Sequence, residues 1–175
     1  RCVDNSFLKS IAGAISSYWH WLYKVEEKVD LFLSPSNFLK NKYKEFGFKG
    51  KFEVVNNVVD LDEFEPSYQA GDYITFVGRL SKEKGLINLL RVMVHLPDIN
   101  LKIIGDGPQE KELKKFVIVH GLKNVEFLGY LEKAELQNVV KRSAFVVVPS
   151  IWYENYPMTA VEAMALGKPV VASDL

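Results

Sequence analysis

Apolar residues recur along this chain at more than one period, and the changes of period mark out its elements. From Phe7 to Val29 the apolar positions Leu8, Ile11, Ile15, Tyr18, Leu22, Val25 and Val29 are spaced by three and four, which predicts one long helix with a single apolar stripe. Leu31 to Leu33 is a short apolar run closed by Ser34, Pro35 and Ser36, as at a strand end. Ser36 can cap a second helix, Asn37 to Phe46, which stops at Gly47. Phe52 to Val55 reads as a strand, and Asn56 to Tyr68 as a loop with little periodicity.

From Tyr73 a unit repeats. The predicted strands are Tyr73–Val77, Leu101–Ile104, Val125–Leu128, Phe145–Val148 and Val170–Ala172. The predicted helices between them are Lys84–His95, Gln109–His120, Lys133–Arg142 and Pro157–Leu166. Continuous Val, Ile and Leu strands alternating with helices imply a parallel sheet covered on both faces. With right-handed crossovers, this is an α/β, Rossmann-like, doubly wound sheet. In such a sheet ligands bind at the carboxyl ends of the strands, so the strand-to-helix loops are where chemistry is sought.

Composition narrows the class. With 175 residues the chain can build a core of ordinary size. Its 22 basic and 22 acidic residues cancel, which leaves no electrostatic footprint for nucleic acid. The single cysteine, Cys2, excludes an internal disulfide framework and a cysteine-built zinc site, in keeping with a reducing compartment. The longest apolar runs fall well short of the roughly 20 residues that cross a bilayer. The segment Arg1 to Asn5 leads into the amphipathic stretch with no signal-peptide pattern. The first residue is not Met and the last is an ordinary Leu after a strand, so both ends read as cuts through a larger protein.

Two loops carry the candidate chemistry. In Gly78-Arg79-Leu80-Ser81-Lys82-Glu83-Lys84-Gly85, Gly78 permits close approach to the backbone, and Arg79 and Lys84 offer a guanidinium and an ammonium suited to a diphosphate. The plainer reading of those two residues is a pair of solvated cations. In Pro149 to Tyr156, leading to Pro157, a proline at a helix start leaves the amides around Tyr156, Met158 and Thr159 as an anion site at a positive dipole end. Met158 and Met164 read as core. Glu154 stands before that helix. Glu162 lies roughly 7.5 Å along it from Pro157 at the helical rise. Carboxylates so placed can accept from vicinal hydroxyls, although for two isolated glutamates a surface charge and a good helix former would be the simpler account.

Glu154 to Glu162 resembles the E-x7-E pattern of the retaining glycosyltransferase family 4, the group 1 glycosyl transferases. The pattern sits within Pro149-Ser150…Glu154-Asn155-Tyr156-Pro157…Val161-Glu162-Ala163-Met164-Ala165-Leu166-Gly167-Lys168-Pro169-Val170-Val171-Ala172-Ser173. Gly78-Arg79-Leu80…Lys84-Gly85, Ile104-Gly105-Asp106-Gly107-Pro108 and Val125-Glu126-Phe127-Leu128-Gly129 are similar to further segments of that family, in order, from about Lys28 to Ser173. Asn56 to Phe64 resembles the loop that opens the donor domain, with Asn57 where the family usually has Gly.

The resemblance implies the donor half of a two-domain GT-B enzyme. Residues 1–29 would come from the end of the acceptor domain, and residues 30–175 would form the donor domain, truncated at its carboxyl end. Arg79, Lys84 and Glu154 would be catalytic: the two cations on the donor diphosphate as it leaves, Glu154 on the transferred sugar. Glu162 would hold the ribose, and Asn155, Tyr156, Pro157 and Met158 would border phosphate or sugar. Gly78, Gly105, Asp106, Gly107, Leu128 and Tyr130 would complete the donor site near the base.

No cofactor and no metal are implied. The donor would be a nucleotide sugar of the UDP or GDP type, and the acceptor a glycan or lipid-linked molecule. The setting would be cytoplasmic, extending to the cytoplasmic membrane face by peripheral association. The family's catalytic His would lie outside this chain.

Other readings are a donor-binding module without catalysis and a GT-B epimerase, which should lack the ordered set of motifs. A phosphorylase should carry a lysine placed for pyridoxal phosphate. A dehydrogenase is disfavoured because Gly105-x-Gly107 lacks the third glycine of the dinucleotide motif. Asp60-Leu61-Asp62 is a D-x-D string of a kind that binds divalent metal in another architecture, but the opening loop of the donor domain already accounts for it. His20 reads as a solvated helix residue, and His95 and His120 as cations near helix ends. Trp19, Trp21 and the neighbouring tyrosines suit a membrane-surface helix or, with more weight, contact with the domain core.

Overall fold

A computed structural model describes residues 6–175. Cys2 and the Arg1 to Asn5 lead lie outside the described residues. The chain forms two compact units, divided between Asn56 and Asn57.

The first unit holds helix α1 (Phe7–Leu22), a 3-10 turn (Val25–Lys28), strand β1 (Phe32–Ser34), helix α2 (Asn37–Glu45) and strand β2 (Phe52–Val54). The single long helix expected to Val29 instead ends at Leu22. Lys24 adopts φ +48°, a left-handed conformation that breaks the hydrogen-bond ladder before the 3-10 turn begins. The apolar stripe of α1 is solvent-facing: Leu8, Ile11, Ile15, Tyr18 and Leu22 are all exposed, and so is Trp19, for which core contact was expected. Helix α2 starts where its cap predicts, with the Ser36 side chain accepting from the Leu39 amide. Strands β1 and β2 pair in parallel as a sheet of their own around the rings of Phe32, Tyr43, Phe48 and Phe52.

The second unit contains strands β3 (Tyr73–Val77), β4 (Asn100–Ile104), β5 (Val125–Gly129), β6 (Val146–Val148) and β7 (Val170–Ala172). They alternate with helices α3 (Leu86–Met93), α4 (Glu110–Val119), α5 (Lys133–Lys141) and α6 (Met158–Ala165). The strands form one parallel sheet in the order β5-β4-β3-β6-β7. The chain therefore builds outward from β3 in one direction and then crosses to its other side, and β3 and β6 flank the switch point. Side-chain alternation along β3 shows the double winding. Ile74 and Phe76 join a cluster with α3 and α4 through Leu86, Leu90, Met93 and Leu113. Val77 packs against the opposite cluster with α5 and α6, which includes Val140, Val146, Ala163 and Leu166. The fold is the α/β, Rossmann-like, doubly wound parallel sheet expected from the alternating pattern.

The carboxyl ends of β3, β4 and β5 are tied together backbone to backbone. The Gly78 amide donates to the Ile104 carbonyl at 3.0 Å, the Gly105 amide to the Gly129 carbonyl at 2.7 Å, and the Leu80 amide to the Asp106 carbonyl at 2.6 Å. A Cβ on Gly105 would stand 2.1 Å from the Gly78 carbonyl oxygen, so the glycine is required by its neighbour strand. On the far side, the segment before β3 is strapped to the domain. The Ser67 amide donates to the Leu166 carbonyl at 2.9 Å, and the buried Lys168 ammonium donates to the Gln69 carbonyl at 2.7 Å. Burial pushes the Lys168 pKa down. Asp60, half of the D-x-D string, caps a 3-10 turn by accepting from the Asp62 amide.

Gly105→Ala is expected to destabilise the second unit by about 2–4 kcal/mol, because the new methyl group meets fixed backbone and an unfavourable φ of +125°. A urea unfolding midpoint equal to that of the unaltered chain would show that the β3 and β4 ends can separate.

Candidate active site

The loop after β3, the loop after β6 and the amino end of α6 converge at the switch point. The chain leaves β3 through Gly78 and Arg79, makes a 3-10 turn over Lys82–Lys84, and passes through Gly85 at φ +66° into α3. The helix expected to start at Lys84 therefore starts at Leu86, and Lys84 ends a separate turn. Gly85 cannot be replaced without movement: a Cβ there would lie 2.0 Å from the Pro149 carbonyl oxygen. Beside it the Ile151 amide donates to the Glu83 carbonyl at 2.9 Å. The loops after β3 and β6 are thus pressed together through their backbones.

This contact brings Lys84 and Glu154 into reach of each other. Lys84 Nζ lies 2.7 Å from Glu154 Oε1, and Ser150 Oγ donates to the same oxygen at 2.5 Å. Burial by itself would raise the Glu154 pKa. The hydrogen bonds from Lys84 and Ser150, with the Lys84 charge, outweigh burial and the nearby Glu83 charge and hold the carboxyl below its ordinary range. Lys84 and Glu154 line a cavity of about 230 Å³ with Phe76, Val77, Val148, Ser150, Tyr156, Pro157, Met158 and Thr159.

The amino end of α6 faces the same cavity. Pro157 is its N-cap residue and supplies no side-chain cap. The first amides with backbone acceptors are those of Ala160 and Val161, both on the Pro157 carbonyl. Those of Met158 and Thr159 have no backbone partner among the described residues, which suits an anion at a helix start. Thr159 Oγ1 donates at 3.4 Å to the Val77 carbonyl, linking α6 to the end of β3.

The structure brings Lys84, Glu154, Tyr156, Pro157 and Met158 to one cavity. Glu162 sits one turn further along α6, half-buried, with no hydrogen bond to its carboxylate among the described residues. Burial raises its pKa, partly offset by the Lys133 charge. Arg79 is exposed on the β3 loop and Asn155 on the β6 loop. Gly105, Asp106 and Gly107 follow β4; Gly105 and Asp106 take part in the backbone ties already described, and a Cβ on Gly107 would stand 2.5 Å from the Leu80 carbonyl oxygen. Leu128 packs into the core cluster under α5 and α6, while Tyr130 beyond it is 70% exposed. Met164, read as core, is 60% exposed because it lies on the face of α6 opposite Ala163 and Leu166.

Ser150 was not singled out from the sequence, although it is only 3% exposed and bonds Glu154. The available signal was its position directly after an apolar strand, at the carboxyl edge of the sheet.

Residues 59–175 match the family model described as glycosyl transferases group 1. An uncharacterised glycosyltransferase of Methanocaldococcus jannaschii is 35% identical over 146 residues, spanning 82% of this chain and 40% of that protein. The 2-deoxystreptamine glucosyltransferase of Streptomyces kanamyceticus is 33% identical over 139 residues, spanning 69% of this chain and 36% of that protein. The chain thus spans about two fifths of the length of these curated relatives.

Among solved structures, sucrose-phosphate synthase from Thermosynechococcus elongatus superposes with a TM-score of 0.77 at 24% identity, over 87% of this chain and 42% of its own. Anabaena HepE, in complex with UDP and glucose, superposes with a TM-score of 0.74 at 23% identity, over 84% of this chain and 45% of its own. At these identities the structural likeness speaks for the fold.

The two glutamates should respond to pH in opposite senses. Glu154, with its pKa lowered on folding, contributes stability above the ordinary carboxylate range and loses it as pH falls through the lowered value. Glu162, with its pKa raised, carries a penalty that is fully present above the raised value and disappears in acid. Glu162→Gln is therefore expected to raise the melting temperature at pH 7, with the gain vanishing toward pH 4. A lower melting temperature at pH 7 would mean that the carboxylate has a partner in the folded chain.

Proposed function

Since the chain belongs to the group 1 glycosyl transferases, we propose that it is the donor-binding part of an enzyme that moves a sugar from a nucleoside diphosphate to an acceptor with retention of configuration. The observation that carries this reading is the Lys84–Glu154 pair in a cavity that also receives the open amino end of α6. One ligand type satisfies all three features. A diphosphate meets the ammonium and the amides, and a sugar beyond it presents hydroxyls to a carboxylate.

An ammonium carries three protons, and Glu154 occupies one of them at 2.7 Å. The others remain for phosphate oxygens. As the bond between the anomeric carbon and the phosphate oxygen breaks, negative charge grows on the diphosphate. Lys84, Arg79 and the Met158 and Thr159 amides supply positive charge and N–H dipoles that stabilise that charge more than the ground state. Glu154, kept ionised, accepts from the transferred sugar. Glu162 accepts from the ribose, whose hydroxyls supply the partners its half-buried carboxylate lacks. In this reading the protein cations do the neutralising, so a divalent metal is not needed.

Anabaena HepE binds UDP and glucose, which favours UDP over GDP as the first donor to try. The acceptor in this reading is a glycan or lipid-linked molecule, bound by a part of the enzyme outside this chain, to which residues 1–29 would lead. The proposal extends to a cytoplasmic setting, at the membrane face for a lipid-linked acceptor. No described helix is long and apolar enough to cross a membrane.

Calorimetric titration with UDP, GDP and their sugar conjugates in the presence of EDTA tests the proposal. Saturable binding of one nucleoside diphosphate is expected. It should weaken by about tenfold or more in Glu162→Ala, as for a lost hydrogen bond to a charged group. Lys84→Ala should weaken diphosphates by a similar factor and leave the bare nucleoside unchanged. Equal affinity for all ligands in both variants, or no binding by the unaltered chain, would remove the donor-site assignment.

A further inference from the structure

Glu154 is held by one oxygen only. Lys84 and Ser150 both donate to Oε1, and Oε2 has no partner among the described residues. The two donors differ in kind. Lys84 Nζ ends a flexible four-carbon stem and is only partly buried. Ser150 is 3% exposed, and its hydroxyl projects from backbone that is fixed on both sides. Before it, the Pro149 carbonyl abuts Gly85; after it, the Ile151 amide bonds the Glu83 carbonyl. A diphosphate entering the cavity competes with Glu154 for the ammonium, but it has no such claim on a buried hydroxyl already 2.5 Å from a carboxylate.

Resting on the donor-site reading above, we propose that Ser150 is a positioning residue for recognition of the transferred sugar. Its hydroxyl keeps Glu154 in place when Lys84 turns to the diphosphate, so that Oε2 remains the acceptor offered to sugar hydroxyls. Without it, the carboxylate is held only by the group that the donor itself draws away. Ser150 touches neither phosphate nor base in this scheme, so its effect falls on the sugar alone. The charges facing Glu154 are the Lys84 ammonium and the Glu83 carboxylate. Ser150→Ala removes neither, and any change in Glu154 ionisation then reports the lost hydroxyl.

The test uses the 175-residue chain with Ser150→Ala, Glu154→Gln and the double variant. Each is titrated with a nucleoside diphosphate and with its sugar conjugate. Carbon-13 NMR of the Glu154 carboxyl, assigned by its loss in Glu154→Gln, follows pH in parallel. Ser150→Ala is expected to weaken the sugar conjugate by about tenfold, the scale of a hydrogen bond to a charged group. The bare diphosphate should stay within twofold, and the carboxyl midpoint should rise.

In Glu154→Gln the further Ser150→Ala change should have little additional effect on the conjugate, since the two act as one unit. An unchanged midpoint with unchanged affinities would overturn the positioning role while leaving the donor site standing. An equal loss for both ligands would also overturn it, by showing a general collapse of the loop. Failure of the unaltered chain to bind either ligand would overturn the donor-site reading and this inference together.

Discussion

The backbone contact between the loops after β3 and β6 is the constraint on which the rest of the site depends. In a sheet ordered β5-β4-β3-β6-β7, the helices that follow β3 and β6 pack on opposite faces, so their loops diverge and leave a crevice. Here the crevice is narrowed by Gly85, whose missing side chain lets the Pro149 carbonyl come close, and by the Ile151 to Glu83 hydrogen bond. That approach allows Lys84 and Glu154, 70 residues apart in sequence, to meet at 2.7 Å. Neither side chain could hold the geometry alone, because an ion pair this exposed stabilises by only about 1 kcal/mol or less. The backbone fixes the loops and the ion pair follows.

The same economy explains why two glutamates eight positions apart behave in opposite ways. Glu154 lies where the β6 loop turns back over the β3 loop, and two donors hold it ionised. Glu162 lies within α6, where no donor reaches its carboxylate among the described residues and only the charge of Lys133 offsets its burial. A half-buried carboxylate without hydrogen bonds costs stability, and folding alone gives no reason to keep it. Under the proposed function the cost falls where ribose hydroxyls would offset it, which is the usual place for a protein to carry an unsatisfied group.

Much of the second unit was legible because its signals are local. Strand β3 was read from Tyr73 to Val77 and β7 from Val170 to Ala172, and the structure has both at those bounds. The cap of α2 at Ser36 was equally plain. What escaped was non-local or conformational. A left-handed Lys24 cannot be read from an uninterrupted apolar stripe. Two short strands do not reveal which sheet they join, and β1 and β2 form their own. Met164 looked like core because apolar character alone does not say which side of a short helix is covered. The resemblance places the glycines after β4 beside the base, and it gave no sign that Gly105 is also required by the Gly78 carbonyl of the neighbouring strand end. Ser150 and Lys168 escaped because their importance lies in burial and in partners distant along the chain or across a loop.

The pairing of Lys84 with Glu154 also bears on selectivity. A lone cation at a helix start would attract any phosphate. A cation already bonded to a carboxylate presents a neutral pair, so a simple phosphate must compete with Glu154 and leaves that carboxylate with a weakened partner. A ligand that brings an anion and hydroxyls together supplies a partner to each member, the anion to Lys84 and the hydroxyls to Glu154. Arg79, exposed at the rim of the β3 loop, adds long-range attraction that salt screens, whereas the partly buried pair is screened less. Under the proposed function, discrimination between a sugar diphosphate and a bare phosphate is then a property of the ion pair itself. It depends on the Ser150 hydroxyl that holds Glu154 and on the loop contact at Gly85 that makes the pair.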